Sequence, residues 1–183
     1  VGTITDRMEI IAPLVKEGKV LDMGVVESRR GRRDTESQLE RHHSNLLFRQ
    51  ICELNKECMG VDIDGEGIEL LKSQGFNATT ADVVTMDLEQ QFDAIIAGEI
   101  IEHLPNVGQF LENMHRHLTE NGTLLITTPN PFYSKQAFKI WRYNSPQVHE
   151  EHTCWFDPIT LCNLCRMSGL DPYAVYWVQP KRD

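Results

Sequence analysis

Apolar residues follow two rhythms along this chain. Short unbroken runs at 20–23, 59–63, 92–97, 123–128 and 173–178 have the length of strands buried on both faces. Between them lie stretches with an apolar residue every third or fourth position, the spacing of an amphipathic helix. Met8, Ile11, Ala12 and Val15 form one such stripe over 6–17, interrupted at Pro13 and closed by Gly18. Leu47, Ile51 and Leu54 form a second, over 45–55. Asp64 offers an N-cap to a third, which buries Ile68 and Leu71 and ends at Gly75. Asn106 does the same for a fourth, with Val107, Phe110, Leu111, Met114 and Leu118 on one side. Residues 158–167 form the last helix, closed by Gly169. Residues 77–80 read as a brief extended segment, and Asn121-Gly122 as a turn before the next strand. Two stretches carry no period: the polar 27–44, read as a mobile loop, and the aromatic, irregular 132–155.

Strand and helix patterns alternate, which predicts βαβ units and a mainly parallel sheet. The expected architecture is a doubly wound α/β fold with helices on both faces, as one domain over 1–183. Composition narrows the function classes. A net charge of −9 argues against a general nucleic-acid binder, which needs a basic face. The local exception is Arg29-Arg30-Gly31-Arg32-Arg33, read either as a solvated loop or as a clamp for an anionic group. No apolar run approaches the length of a membrane span, and the first residues lack the pattern of a secretory signal. Five scattered cysteines suit a reducing compartment, so a cytoplasmic location is expected.

Four segments place chemistry at strand ends. The strand at 20–23 carries Asp22 and runs into Gly24, where a ligand can lie against bare backbone and a carboxylate can meet an ammonium group. The second strand ends in Gly60-Val61-Asp62-Ile63-Asp64, and an acidic residue there can hold both hydroxyls of a ribose. Asp64 capping a helix beside a merely solvated Asp62 is the plainer alternative. Ala81-Asp82-Val83 follows the third strand, where a carboxylate can accept from an adenine amino group. The fourth segment is FDAIIAGEIIEHL, with Gly98, Glu99 and His103. A helical turn would put Glu99 and His103 on one face toward the cleft.

In this order, VLDMG, GVDID, FDAIIAGEIIEHLPN and GTLLITTPNP resemble the class I S-adenosylmethionine-dependent methyltransferase family, over roughly 20–178. EHL, the helix after it and NGTLLITTPNP are similar to the small-molecule branch, which includes ubiquinone and sugar methyltransferases. The closing HTCWFDPITLCNLCRMSGL is similar to that branch's last helix. The resemblance implies a Rossmann-like methyltransferase fold and S-adenosylmethionine as cofactor. It puts Asp22 and Gly24 at the methionine part, Asp62 at the ribose, Ile63 against adenine, and Asp82 with Val83 at the adenine amino group. Gly98 and Glu99 would border the cofactor where the acceptor enters, and His103 would be the base or positioning residue. The partner is a small-molecule methyl acceptor such as a sugar or lipid precursor.

This chain departs from the family in one place. The family turn reads D-x-G-x-G-x-G, whereas here it is Asp22-Met23-Gly24-Val25-Val26-Glu27-Ser28. Two of three glycines are gone, and a β-branched Val26 resists positive φ. A non-catalytic cofactor-binding or scaffold domain therefore stays open beside an enzyme. A nicotinamide oxidoreductase ranks below both, because the glycine-rich phosphate loop is missing. No strand is evident after Val178, so six strands are expected in place of the family's seven.

His149, His152, Cys154, Cys162 and Cys165 invite a zinc reading. Cys162 and Cys165 share a helical pattern with Leu161, Leu164 and Met167, which favours packing, and no metal is expected. His149 and His152 stand at a substrate mouth or on the surface. Phe132, Tyr133, Trp141 and Tyr143 form either an aromatic lid or ordinary packing under a long connection.

Overall fold

The computed structural model describes residues 1–26 and 47–179. A short strand β1 (Gly2–Ile4) and helix α1 (Met8–Val15) lead into β2 (Val20–Met23). After the segment 27–46 come α2 (Leu47–Leu54), β3 (Cys58–Asp62), α3 (Gly65–Ser73) and β4 (Ala78–Thr80). Then follow β5 (Phe92–Gly98), a single 3-10 turn at Ile101–His103, α4 (Val107–His117) and β6 (Leu118–Thr127). Helices α5 (Ser134–Tyr143) and α6 (Pro158–Met167) and strand β7 (Tyr176–Val178) close the chain.

The central sheet has the order β4-β3-β2-β5-β6, with every neighbouring pair parallel. The chain starts in the middle, winds to one edge, then crosses to the other. That is the doubly wound arrangement, with its crevice beyond the carboxyl ends of the strands. Side chains on a strand alternate between faces, and the core divides accordingly. Leu21, Met23, Ile95 and Ala97 pack with Phe110, Leu111 and Met114 of α4 on one face. Val20, Ala94 and Ile96 pack with Ile11 and Val15 of α1, Ile51 of α2 and Ile68 of α3 on the other. Asp64 caps α3 through the Glu66 and Gly67 amides, and Asn106 caps α4 through Gln109, as the sequence predicts.

Five expectations are corrected. First, β7 does not extend the main sheet. It pairs in parallel with β1 as a separate two-stranded ribbon, so the main sheet has five strands among the described residues. Gly2 permits that pairing, because a Cβ there would stand 2.9 Å from the Tyr176 ring. Second, Asn121-Gly122 is not a turn ahead of the strand. It forms an irregularity inside β6, where the register jumps from Phe92↔Leu118 to Ala94↔Thr123. A Cβ at Gly122 would sit 2.8 Å from the Phe92 carbonyl, so only glycine fits there. Third, 132–155 contains α5, whose stripe is invisible because its apolar residues face out. Phe138, Ile140 and Trp141 are exposed, and Gln136 is its buried residue. Fourth, Pro13 lies inside α1 without breaking it. Fifth, Leu54 is exposed and Phe48 takes the buried place on α2. The predicted loop at 27–44 and the Arg29–Arg33 cluster fall outside the described residues. Among the described residues no helix is long and apolar enough to cross a membrane.

Candidate functional site

The registers set the predicted residues side by side. Met23 pairs with Val61 on one side and Ala97 on the other, and Asp62 pairs with Thr80. Gly24, Asp62 and Gly98 are therefore neighbours along the carboxyl edge, with Ala81 and Asp82 just past β4. Gly24 has φ +73°, the left-handed region that glycine adopts without cost, and its amide donates to the Val61 carbonyl at 2.9 Å. A Cβ there would meet only Ile100, at an ordinary 3.4 Å. Backbone conformation thus explains this glycine better than crowding does.

Asp62 is 8% exposed and turned inward. One carboxylate oxygen accepts from the Val26 amide and the other from the Asp64 amide, both at 2.9 Å. Burial pushes its acidity down, raising the pKa against those two amide bonds. Val26 packs onto the start of α3, where a Cβ on Gly67 would collide with it. Val26 thus rests on that helix, and Glu27 and Ser28 fall outside the described residues. Ile63, by contrast, is 74% exposed at the same edge. An isoleucine held out beside a carboxylate suits the face of a flat apolar ring.

Asp22 lies within β2, only 2% exposed. Burial raises its carboxyl pKa from 3.8 to about 8, while the Met23 amide opposes the shift. The protonated carboxyl is therefore favoured well above the ordinary carboxylate range. Asp82 is exposed and folds its carboxylate back onto the Val84 amide at 2.8 Å, and Val83 is buried.

The other half of the strand-tip crevice is built from the ends of β5 and β6. Glu99 adopts φ +52°, and its amide bonds to the Thr127 carbonyl at 3.0 Å. It therefore lies outside the helical turn, which covers Ile101–His103 alone. The expected shared face of Glu99 and His103 does not form. The reason is local: Glu99 itself takes left-handed backbone, so the helical turn begins only after Ile100. The residue that joins His103 is its neighbour Glu102, 2% exposed, which accepts from the Thr128 hydroxyl at 3.0 Å. Burial pushes the Glu102 pKa up. Thr153 donates its amide to the Glu102 carbonyl at 2.7 Å and its hydroxyl to the Leu104 carbonyl at 2.8 Å. These bonds bring His152 against the turn. The His103 and His152 rings meet edge to face at 4.8 Å, with His149 5.5 Å from His152. Burial and the two neighbouring imidazoles hold the His152 pKa below its ordinary value. Ligand atoms of Glu102, His103 and His152 lie within 4.8 Å of one another, close enough to converge on one cation.

A cleft enclosing about 410 Å³, including its open mouth, borders this cluster. Glu102, Thr128, Gln136, His149, His152 and Trp155 are among the residues that line it, and none of the predicted cofactor residues does. Cys154 lines the cleft beside His152, while the other described cysteines lie away from it. Cys162 and Cys165 both sit on α6, with Cys165 in the core and its thiol pushed up to about 11 by burial. Sequence reasoning missed Glu102, Thr128 and Gln136. Only the adjacency of Glu102 to His103 could have pointed to the first.

A parallel, doubly wound sheet with carboxylates at three successive strand tips defines an α/β domain of the nucleotide-cofactor type. More specifically, the chain belongs to the methyltransferase-domain family, whose profile matches residues 5–175. Among curated relatives, it is 30% identical over 96 residues to the ubiquinone biosynthesis O-methyltransferase of Rickettsia typhi, across 38% of this chain and 39% of that protein. It is also 30% identical over 105 residues to the enzyme of that name from Nitrobacter winogradskyi, across 53% of this chain and 40% of that one. The matched stretch thus spans about two fifths of those relatives' length. Among solved structures, a SAM-dependent methyltransferase from Archaeoglobus fulgidus superposes with a TM-score of 0.62 at 20% identity, covering 89% of this chain and 66% of that one. A possible histamine N-methyltransferase from Thermotoga maritima gives 0.59 at 17%, covering 86% and 68%. The fold is the Rossmann-like methyltransferase fold.

Proposed function

We propose that this domain binds S-adenosylmethionine across the tips of β2, β3 and β4 and transfers its methyl group to a small-molecule acceptor at the tips of β5 and β6. The observation that carries the reading is the row Gly24, Asp62, Ile63 and Asp82. It sets bare left-handed backbone, a buried carboxylate, an exposed isoleucine and a second carboxylate in the sequence a thioether nucleoside needs. In this reading Asp22 and Gly24 face the methionine part, Asp62 the ribose, Ile63 and Val83 the adenine, and Asp82 its amino group. Gly98 and Glu99 border the sulfur, and His103 faces the acceptor. The names of the curated relatives support a small molecule as acceptor. Five free cysteines and the acidic charge support a reducing, cytoplasmic setting without nucleic acid.

The cofactor supplies an already activated methyl group, so the chain's part is alignment and proton handling. The acceptor's lone pair forms the new bond to carbon as the carbon–sulfur bond breaks, and the acceptor's proton leaves to a base. In this reading His103 takes it, with Glu102 and His152 beside it. A second reading of the same three groups is a divalent cation, favoured by their convergence. Turnover that survives EDTA upholds the imidazole reading, whereas loss restored by Mn²⁺ upholds the cation.

Calorimetric titration with S-adenosylhomocysteine tests the cofactor. Saturable binding is expected, and no heat at millimolar ligand defeats the reading. Methyl release with a panel of hydroxylated and amine acceptors then separates an enzyme from a non-catalytic binder.

A further inference from the structure

The segment that follows β4 has little of the sheet to hold it. β4 has three residues and lies at the sheet edge, and past it only the Ala81 amide reaches back, to the Asp62 carbonyl at 2.9 Å. The segment then makes its own turn, with the Asp82 carbonyl accepting from Thr85 and Met86. Three main-chain groups beyond that are met from across the core. Asn113 of α4, 1% exposed, donates its side-chain amide to the carbonyls of Val83 and Met86, both at 3.0 Å. Both of its amide hydrogens are thereby used. Arg116 donates to the Asn113 side-chain oxygen at 2.7 Å, which fixes the amide's orientation. One turn on, His117 Nε2 accepts from the Leu88 amide at 3.1 Å, and Nδ1 faces the Asn113 carbonyl at 2.9 Å. With Nε2 accepting, Nδ1 carries the proton. Asn113 and His117 interrupt the apolar stripe of Val107, Phe110, Leu111 and Met114. A buried polar pair in such a stripe is costly unless every group is matched, and here the matching partners outside α4 all lie on one segment.

We propose that Asn113, with His117, is the positioning residue that fixes where Asp82 and Val83 meet the adenine, and so sets the domain's preference for an adenine base. This rests on the cofactor reading above. The chain of cause is short. Asn113 holds the Val83 and Met86 carbonyls, their placement sets the turn begun by Asp82, and the turn aims the Asp82 carboxylate. A carboxylate aimed at an amino group rejects a base that carries a carbonyl there, because two acceptors then face each other.

Titration with S-adenosylhomocysteine and with S-inosylhomocysteine, whose 6-amino group is replaced by oxygen, tests this. The parent is expected to prefer the adenosyl ligand by about tenfold, the value of one hydrogen bond to a charged group. In Asn113→Leu the preference should collapse to within about threefold, chiefly through loss of the adenosyl affinity. Exposed Arg116→Ala, which removes only the restraint on the amide, should lower the preference partway and keep the fold if Asn113→Leu does not. A preference that survives in folded variants overturns the inference while leaving the cofactor reading intact. A parent that binds both ligands equally overturns the contact between Asp82 and the adenine, and the inference with it. A parent that binds neither overturns the cofactor reading itself.

Discussion

Asp82 and His152 stand toward opposite ends of one sheet edge, and they are held by different means. The nucleoside side is a main-chain construction. Its residues follow directly from β2, β3 and β4, and buried side chains such as Asn113 and Asp62 tie their amides and carbonyls. The acceptor side is a side-chain construction. His152 reaches His103 because Thr153 clasps a single helical turn, and the cleft beside them is lined in part by Gln136 of α5, a helix whose apolar residues mostly face solvent. The difference teaches where change is tolerated. A main-chain cradle is shared by any sequence with the same registers, whereas side chains on a loosely packed helix can be exchanged without disturbing the sheet. Substitutions should therefore separate into two groups, one moving cofactor affinity and the other moving turnover.

The largest separation is expected at His103. As a proton acceptor in the transition state it is worth about 10²–10⁴ in rate. His103→Ala should lower kcat by about that range while the S-adenosylhomocysteine Kd stays within about twofold. Steady-state kinetics beside calorimetry reads both numbers. If the variant loses affinity and turnover together, the two sides are not separable and the division fails.

Asp62→Ala should show the opposite behaviour. The substitution removes the proposed ribose contact and releases the Val26 and Asp64 amides, each held by a charge-assisted bond. At about 1.5–3 kcal/mol per bond to a charged group, cofactor affinity should fall about 100-fold. Turnover at saturating cofactor should change far less. Asp62→Asn keeps one acceptor oxygen and should recover part of the affinity. An affinity unaffected by either change would mean that Asp62 serves only its two amides.

The same division explains what could be read from the sequence. Strand-tip residues follow from apolar runs that end in Gly or Asp, so Gly24, Asp62, Asp82 and Gly98 fall where the pattern places them. The buried stripe of α4 follows too, since Phe110, Leu111 and Met114 repeat at helical spacing and all are buried. The acceptor side resisted the same logic. Periodicity joined His103 to Glu99 four residues earlier, but Glu99 takes positive φ and the helical turn starts only after Ile100. The contact between His103 and His152 spans almost fifty residues and depends on Thr153, for which no local pattern exists. Helix α5 escaped notice because burial, not helicity alone, creates a readable stripe, and α5 buries little besides Gln136.

Asp22 offers the finest test, because its role depends on charge. In the free protein burial raises its pKa from 3.8 to about 8. Between those values the folded state binds a proton that the unfolded state has lost, so stability falls as pH rises. The contribution is complete below pH 3.8 and is lost as pH passes about 8. Asp22→Asn, neutral throughout, should flatten the stability profile over that window and melt higher than the parent above it. Cofactor binding should act in the other direction. An ammonium group beside Asp22 favours the carboxylate, so binding below pH 8 should expel a proton. Titrations in buffers of different ionisation enthalpy count that proton, and the variant should release none. Its affinity at pH 8 should be about tenfold weaker, one charge-assisted bond, and the parent's rise in affinity toward that pH should be absent. Should the variant bind as tightly as the parent at every pH, the carboxyl is a packing group of β2, and the methionine end of the cofactor is held by main chain alone.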